Sequence, residues 1–132
     1  MKTSAKTSPE RIAADALTRI RAICMALPEA EEQPFGGHTA PAFRVRDKLF
    51  VTISEDGTAM TFKGQPGLQQ ALVAAEPERF FVPRYVGHKG WVGARIDVAQ
   101  DWEEMGELIL DSYRMIAPKG LAAQVGGGRA ER

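Results

Sequence analysis

Between Ile12 and Leu27 apolar side chains return every three or four positions, at Ile12, Ala16, Ile20, Ile23 and Leu27. This spacing predicts a helix with one apolar stripe. Ser8 can cap it, Pro9 suits its first position, and Pro28 stops it. After a bent connection rich in glycine and proline, "EAEEQPFGGHTAP", the period changes to two. In "AFRVR", Phe43 and Val45 alternate with Arg44 and Arg46; in "LFVTIS", Leu49, Val51 and Ile53 alternate with Phe50, Thr52 and Ser54. Paired strands turning near Asp47 and Lys48 are predicted. "EDG" marks a second turn, with Gly57 able to take a positive φ, before a third strand, "TAMTFK", in which Met60 and Phe62 share a face.

Helical spacing resumes at Leu68 and Leu72, between Pro66 and Pro77. "RFFVPRY" and "GWVGARI" read as strands joined around "VGHKG" in an outer hairpin, the first an edge or irregular strand because of Pro83. The last helix begins with capping-box spacing at Asp101 and Glu104. It carries Trp102, Met105, Leu108, Ile109, Tyr113 and Ile116 on its apolar side and stops by Pro118. The expected order is α-β-β-β-α-β-β-α, an α+β fold: a two-layer α/β sandwich whose antiparallel sheet carries the helices on one face. Residues 1–7 are expected to be disordered, 8–122 to form a single domain, and 123–132 to be a flexible tail.

The lone Cys24 excludes an intramolecular disulfide and suits a reducing compartment, so a cytoplasmic location is expected. No run approaches the roughly 20 apolar residues that span a bilayer, and no membrane partner is expected. The 17 basic and 17 acidic residues cancel, so only their distribution is informative. From Arg79 to Ile96 the chain carries Arg79, Arg84, Lys89 and Arg95 without an acid, whereas the last helix carries Asp101, Glu103, Glu104, Glu107 and Asp111. Strand alternation sends Arg44, Arg46, Phe50, Thr61 and Lys63 to the face away from the helices, where Trp91, Gly93 and Arg95 join them. A basic face with aromatic rings suits phosphates and stacked bases. The same residues also serve solubility and edge protection in many sheets.

Catalytic chemistry finds no centre in the sequence. His38, His88 and Cys24 lack the clustered spacing of a zinc site, Cys24 sits beside an apolar stripe, and Glu29, Glu31 and Glu32 read as a solvated loop. No metal, cofactor or enzymatic activity is expected.

The stretches "LPEAEEQPFG", "AFRVRDKLFVTIS", "TFKGQPG", "GWVGARID" and "LILDSYRMIAPKGLA" stand in an order that resembles the MmcQ/YjbR family across nearly all of Ile12 to Ala122. The resemblance rests on Pro34-Phe35-Gly36, Lys48 followed by Phe50, Lys63, Trp91 and Ser112-Tyr113. It implies a CyaY-like, secretion-chaperone-like α/β domain of a bacterial protein. It also implies DNA binding, the description such members commonly carry, with Lys48, Lys63 and Trp91 at matching positions.

The combined expectation is a non-enzymatic module that binds DNA or another polyanion through Arg44, Arg46, Lys48, Lys63, Arg84, His88, Lys89 and Arg95, with Phe50 and Trp91 as stacking surfaces. Two alternatives stay open. One is a pocket for an aromatic small molecule built from Phe35, His38 and Trp91; the other is a chaperone-like homodimeric adaptor anchored by Phe50 and Trp91.

Overall fold

A computed structural model of the protein describes residues 8–34 and 39–125. The expectations for residues 1–7, for Phe35 and His38, and for the tail from residue 126 onward lie outside the described residues. The first helix, α1 (Pro9–Met25), starts where Ser8 Oγ accepts the Arg11 N–H at 3.2 Å, and it buries Ala16, Ile20 and Cys24. A short strand follows, β1 (Ala30–Glu32), which the acidic sequence does not announce. It is held by antiparallel pairing to β2 (Ala42–Val45) and by Arg21 of α1, whose guanidinium grips the Glu32 carboxylate through two 2.8 Å bonds.

Strand β3 (Lys48–Ile53) turns back from β2 through Arg46 and Asp47, one position earlier than the sequence suggests. Both turn residues have positive φ, 50° and 69°. Mirror-image two-residue turns require this, because their twist matches that of the strands they join. Neither residue is a glycine, and the Arg46 guanidinium is braced by Glu29 at 2.5 and 3.0 Å. Gly57, at φ 75°, closes the next turn into β4 (Ala59–Lys63). There Ser54, Asp56 and Thr58 hydrogen-bond one another.

The chain then forms α2 (Leu68–Ala75), β5 (Phe80–Phe81), a 3₁₀ turn (Gly87–Lys89), β6 (Trp91–Arg95), α3 (Trp102–Ile116) and the short α4 (Lys119–Ala122). Six strands make one antiparallel sheet in the order β1-β2-β3-β4-β6-β5. Strand β6 is therefore internal, and β5 is the edge on that side, cut to two residues with Pro83 close behind it. The expected outer hairpin of "RFFVPRY" and "GWVGARI" is present, with its first strand at the edge. The Trp91 strand has neighbours on both sides, β4 and β5, because β5 pairs alongside it.

Helix α3 lies over β3 and β4, and α1 packs beside it. Asp101 caps α3, accepting from the Glu103 and Glu104 N–H groups at 3.1 and 3.2 Å. Glu104 does not complete the reciprocal cap; its carboxylate pairs with Arg79 at 2.6 Å. Phe43, Val45, Val51, Met60, Phe62, Val92 and Ala94 face the helices and are fully buried. Among the described residues no helix is long and apolar enough to cross a membrane.

Strict alternation fails at one place, and it moves a predicted site residue. Phe43 pairs with Val51 and Arg44 with Leu49, which leaves Phe50 without a partner on β2. Such a bulge turns two successive side chains toward the same side. Phe50 and Val51 are both buried at 0% exposure, and the Phe50 ring stands edge-on to Tyr113 of α3 at 5.4 Å. Phe50 is thus a core residue, not a stacking surface on the outer face. Leu49, expected in the core, takes the outer position opposite Arg44.

Candidate functional site

The face of the sheet turned away from the helices is built by register. Thr52 pairs with Thr61, Thr61 with Gly93, Lys63 with Trp91 and Ala59 with Arg95, so all seven share that face with Ala42, Leu49 and Arg44. Phe81 pairs with Gly93. Its ring lies against the glycine, in space that a Cβ at position 93 would occupy. Glycine within a strand often marks such close approach. The guanidinium of Arg95 then stacks over the Phe81 ring at 5.3 Å from its centroid.

Of these residues Ala42, Leu49, Thr52, Ala59, Thr61, Phe81 and Trp91 line a groove of about 500 Å³. Leu49, Phe81, Pro83, Val86 and Trp91 form its apolar walls, and Thr52 and Thr61 stand on its floor with their hydroxyls 2.5 Å apart. Arg84 and Tyr85 line its rim. Tyr85 is 85% exposed and has φ 68°. The Val86 N–H reaches back to the Arg84 carbonyl at 2.6 Å, so Tyr85 is the central residue of a three-residue turn. Positive φ in such a turn is strained for a bulky residue.

The loop that carries the rim is pinned from behind. Buried Gln69 of α2 donates from Nε2 to the Gly87 carbonyl at 2.7 Å and to the Trp91 carbonyl at 2.8 Å. Lys63 Nζ donates to the Lys89 carbonyl at 2.6 Å, tying the end of β4 to the 3₁₀ turn. His88 and Lys89 are exposed on that turn. The turn precedes Trp91 directly, so the predicted basic loop and the aromatic strand form one structural unit.

The predicted cations have different fates. Arg84 and Arg95 are exposed beside Trp91 and Phe81, and Lys63 is the register partner of Trp91. Arg44 is half-buried on the same face; its register partner on β1 is Glu31, and one of its nitrogens reaches the Asp47 carbonyl at 3.4 Å. Arg46 and Lys48 lie at the β2–β3 turn, and the Arg46 charge is matched by Glu29. That ion pair holds the Glu29 carboxyl below its usual range. Arg79, which the sequence groups with the basic loop, is almost enclosed by Glu76, Glu104 and Gln100 and braces the first turn of α3.

Burial pushes the Cys24 thiol pKa well up, as the apolar stripe of α1 implies. The groove residues Leu49, Phe81 and Tyr85 escaped the sequence reading. Gly93 in mid-strand was the one available sign that a large ring lies against the sheet. Nothing local announced Leu49, because its orientation follows from the bulge.

The YjbR family model matches residues 25–115. Among solved structures, the Deinococcus radiodurans protein DR2400, titled as carrying the domain DUF419, is 22% identical. The match covers 83% of each chain with a TM-score of 0.68, and at that identity it shows the fold alone. No curated protein matches the chain.

Proposed function

The chain belongs to the YjbR family, and from that premise we propose that its outer sheet face is a nucleic-acid-binding surface that takes single strands in preference to duplex. The reading rests on the register pair Lys63 and Trp91, a cation and a ring side by side on the sheet face turned away from the helices. Arg84 and Arg95 flank them, with Lys89 on the adjoining turn. Single-strand binders combine these two elements: rings on which unpaired bases stack and cations that follow the phosphates.

Duplex DNA offers a groove of this kind only its phosphates, because its bases are already stacked. Unpaired bases can enter the apolar channel between Trp91 and Tyr85. The module acts by binding and holds no reacting group in this role. Removal of Phe50 from the surface lowers the stacking area that the sequence suggested, and the ion pair of Arg46 lowers the charge. Modest, salt-sensitive affinity follows, in the range of about 10⁻⁴ to 10⁻⁶ M that is usual for non-specific binding.

Fluorescence anisotropy of a labelled oligothymidylate and of a labelled duplex, at low and at physiological salt, tests the reading. Saturable binding of the single strand is expected. Combined Lys63→Ala, Arg84→Ala and Arg95→Ala replacement should flatten its salt dependence by roughly 0.7 in logarithmic slope per lost contact. Absence of saturable binding at low salt, or an unchanged slope in the triple variant, overturns it.

A further inference from the structure

We propose that the groove between Thr61, Trp91 and Arg84 is also a self-sufficient site for a small planar aromatic anion, such as an aromatic carboxylate. It shares residues with the surface proposed above but does not rest on nucleic-acid binding, and it can be tested with no nucleic acid present. Its volume of about 500 Å³ lies within the range of small-molecule sites, which are mainly apolar with a few placed polar groups.

The chemistry of the occupant follows from the lining. Leu49, Phe81, Pro83 and Trp91 present apolar surface without a buried charge, so the body of the ligand is apolar, and a flat one fits between a sheet and a loop. On the floor, the Thr52 and Thr61 hydroxyls share one hydrogen between them at 2.5 Å. Each hydroxyl carries one hydrogen, so whichever accepts from the other keeps its own hydrogen to donate upward. One polar acceptor on the ligand is thereby positioned.

The guanidinium of Arg84 supplies the charged contact. Two charged residues line the groove, Arg84 and Glu55. Glu55 accepts from the Thr39 hydroxyl at 3.2 Å and keeps its charge, and Arg84, the one cation in the described lining, makes no ion pair among the described residues. A guanidinium at the rim of an apolar channel selects a carboxylate, which it can grip with two parallel hydrogen bonds.

The strained turn is the second and independent observation. Tyr85, at φ 68°, is held with its ring almost fully in solvent at the groove mouth, next in sequence to Arg84. Strained backbone of this sort persists where the surroundings over-determine it, and it gathers at ligand clamps. Here it places the phenol ring where it can close over a ligand whose carboxylate rests on Arg84.

Isothermal titration with 2-naphthoate, and with the neutral analogue 2-naphthylmethanol, tests the site in the full-length protein. One naphthoate per chain is expected, with the alcohol binding about tenfold more weakly or worse. Arg84→Gln should remove the preference for the carboxylate while leaving the alcohol's affinity unchanged, since the Arg84 side chain is exposed and makes no ion pair among the described residues. Thr61→Val, which deletes a floor hydroxyl at nearly constant volume, should weaken both ligands by several fold. Ala59→Phe, which fills the groove from its edge, should abolish both, with thermal melting confirming that the variant is folded. Failure of naphthoate to bind, or equal binding by the wild type and by Arg84→Gln, overturns the proposal. If naphthoate binds here and oligothymidylate does not, this inference stands and the nucleic-acid reading falls.

Discussion

The Ser112 hydroxyl of α3 is inserted between the Phe50 carbonyl, to which it donates at 2.7 Å, and the Lys63 N–H, from which it accepts at 3.0 Å. Phe50 and Lys63 would form the next rung of the ladder after Val51 and Phe62, but that pairing stops at the bulge. A helix side chain thus completes a broken sheet rung, and the bulge that turns Phe50 inward needs it. Ser112→Ala leaves both groups buried without partners and should cost roughly 1–3 kcal/mol, measured by urea unfolding. A midpoint equal to that of the wild type would show that the hydroxyl is dispensable.

Phe50 and Trp91 should separate stability from binding. Phe50→Ala empties a core site against Tyr113 and is expected to lose about 3–5 kcal/mol. The gentler Phe50→Leu should unfold earlier yet retain oligothymidylate affinity when folded. Trp91→Ala, at a half-buried groove wall, should instead lower that affinity, by about 1–3 kcal/mol for one lost stacking contact. Equal effects of Phe50→Leu and Trp91→Ala on affinity would contradict the assignment of faces.

Gly93 is required by its neighbour. A side chain there meets the Phe81 ring, so Gly93→Val must expel Phe81 from the sheet. Overpacking of this kind costs about 1–3 kcal/mol. Arg95 would lose the ring beneath its guanidinium and the groove would lose a wall. Thermal melting and naphthoate titration on the one variant should both show the loss; a normal Tm with normal binding would mean that Phe81 can move without consequence.

Acid should loosen the β1 edge. Arg21 hydrogen-bonds Glu32 and holds its carboxyl below the usual range, so between the folded and unfolded pKa values the unfolded chain binds more protons. The contribution is present above the ordinary glutamate pKa of about 4.3 and is lost as pH falls through the lower folded value. Both partners are partly exposed, so the size is at most about 1 kcal/mol. Stability measured from about pH 6 down to about pH 3 should fall less steeply in Glu32→Gln. A parallel curve would remove this pair from the acid response.

Cys24 should be inert. It is fully buried, and its thiol pKa is pushed up by burial, with the charge of Glu32 adding to the effect. Thiolate is the reactive form. An aromatic disulfide reagent should label native protein only as fast as the chain opens, with the rate rising in urea; immediate labelling at neutral pH would contradict the burial.

Much of this architecture was legible because it depends on local periodicity. The stripe of α1, the apolar side of α3, the alternation in β2 and β4 and the stops at Pro28 and Pro118 are each properties of a short window, and burial then acts on them as expected. The same alternation placed Arg44, Lys63, Trp91 and Arg95 on one face, because period two holds wherever the ladder is regular. The site itself was less legible. Leu49 and Phe50 exchanged sides because pairing with β2 slips by one residue and Ser112, far along the chain, bridges the gap. Arg46 and Arg79 were drawn into ion pairs with Glu29, Glu76 and Glu104, partners that folding alone brings near. Phe81 and Tyr85 came to the groove because β5 pairs alongside β6 and a strained turn follows it. Composition and spacing determine which segments become helices and strands and which of their faces are apolar. Register, bulges and long-range charge pairing depend on contacts between distant segments, and for that reason only the tertiary structure decided which rings and which cations share the open face.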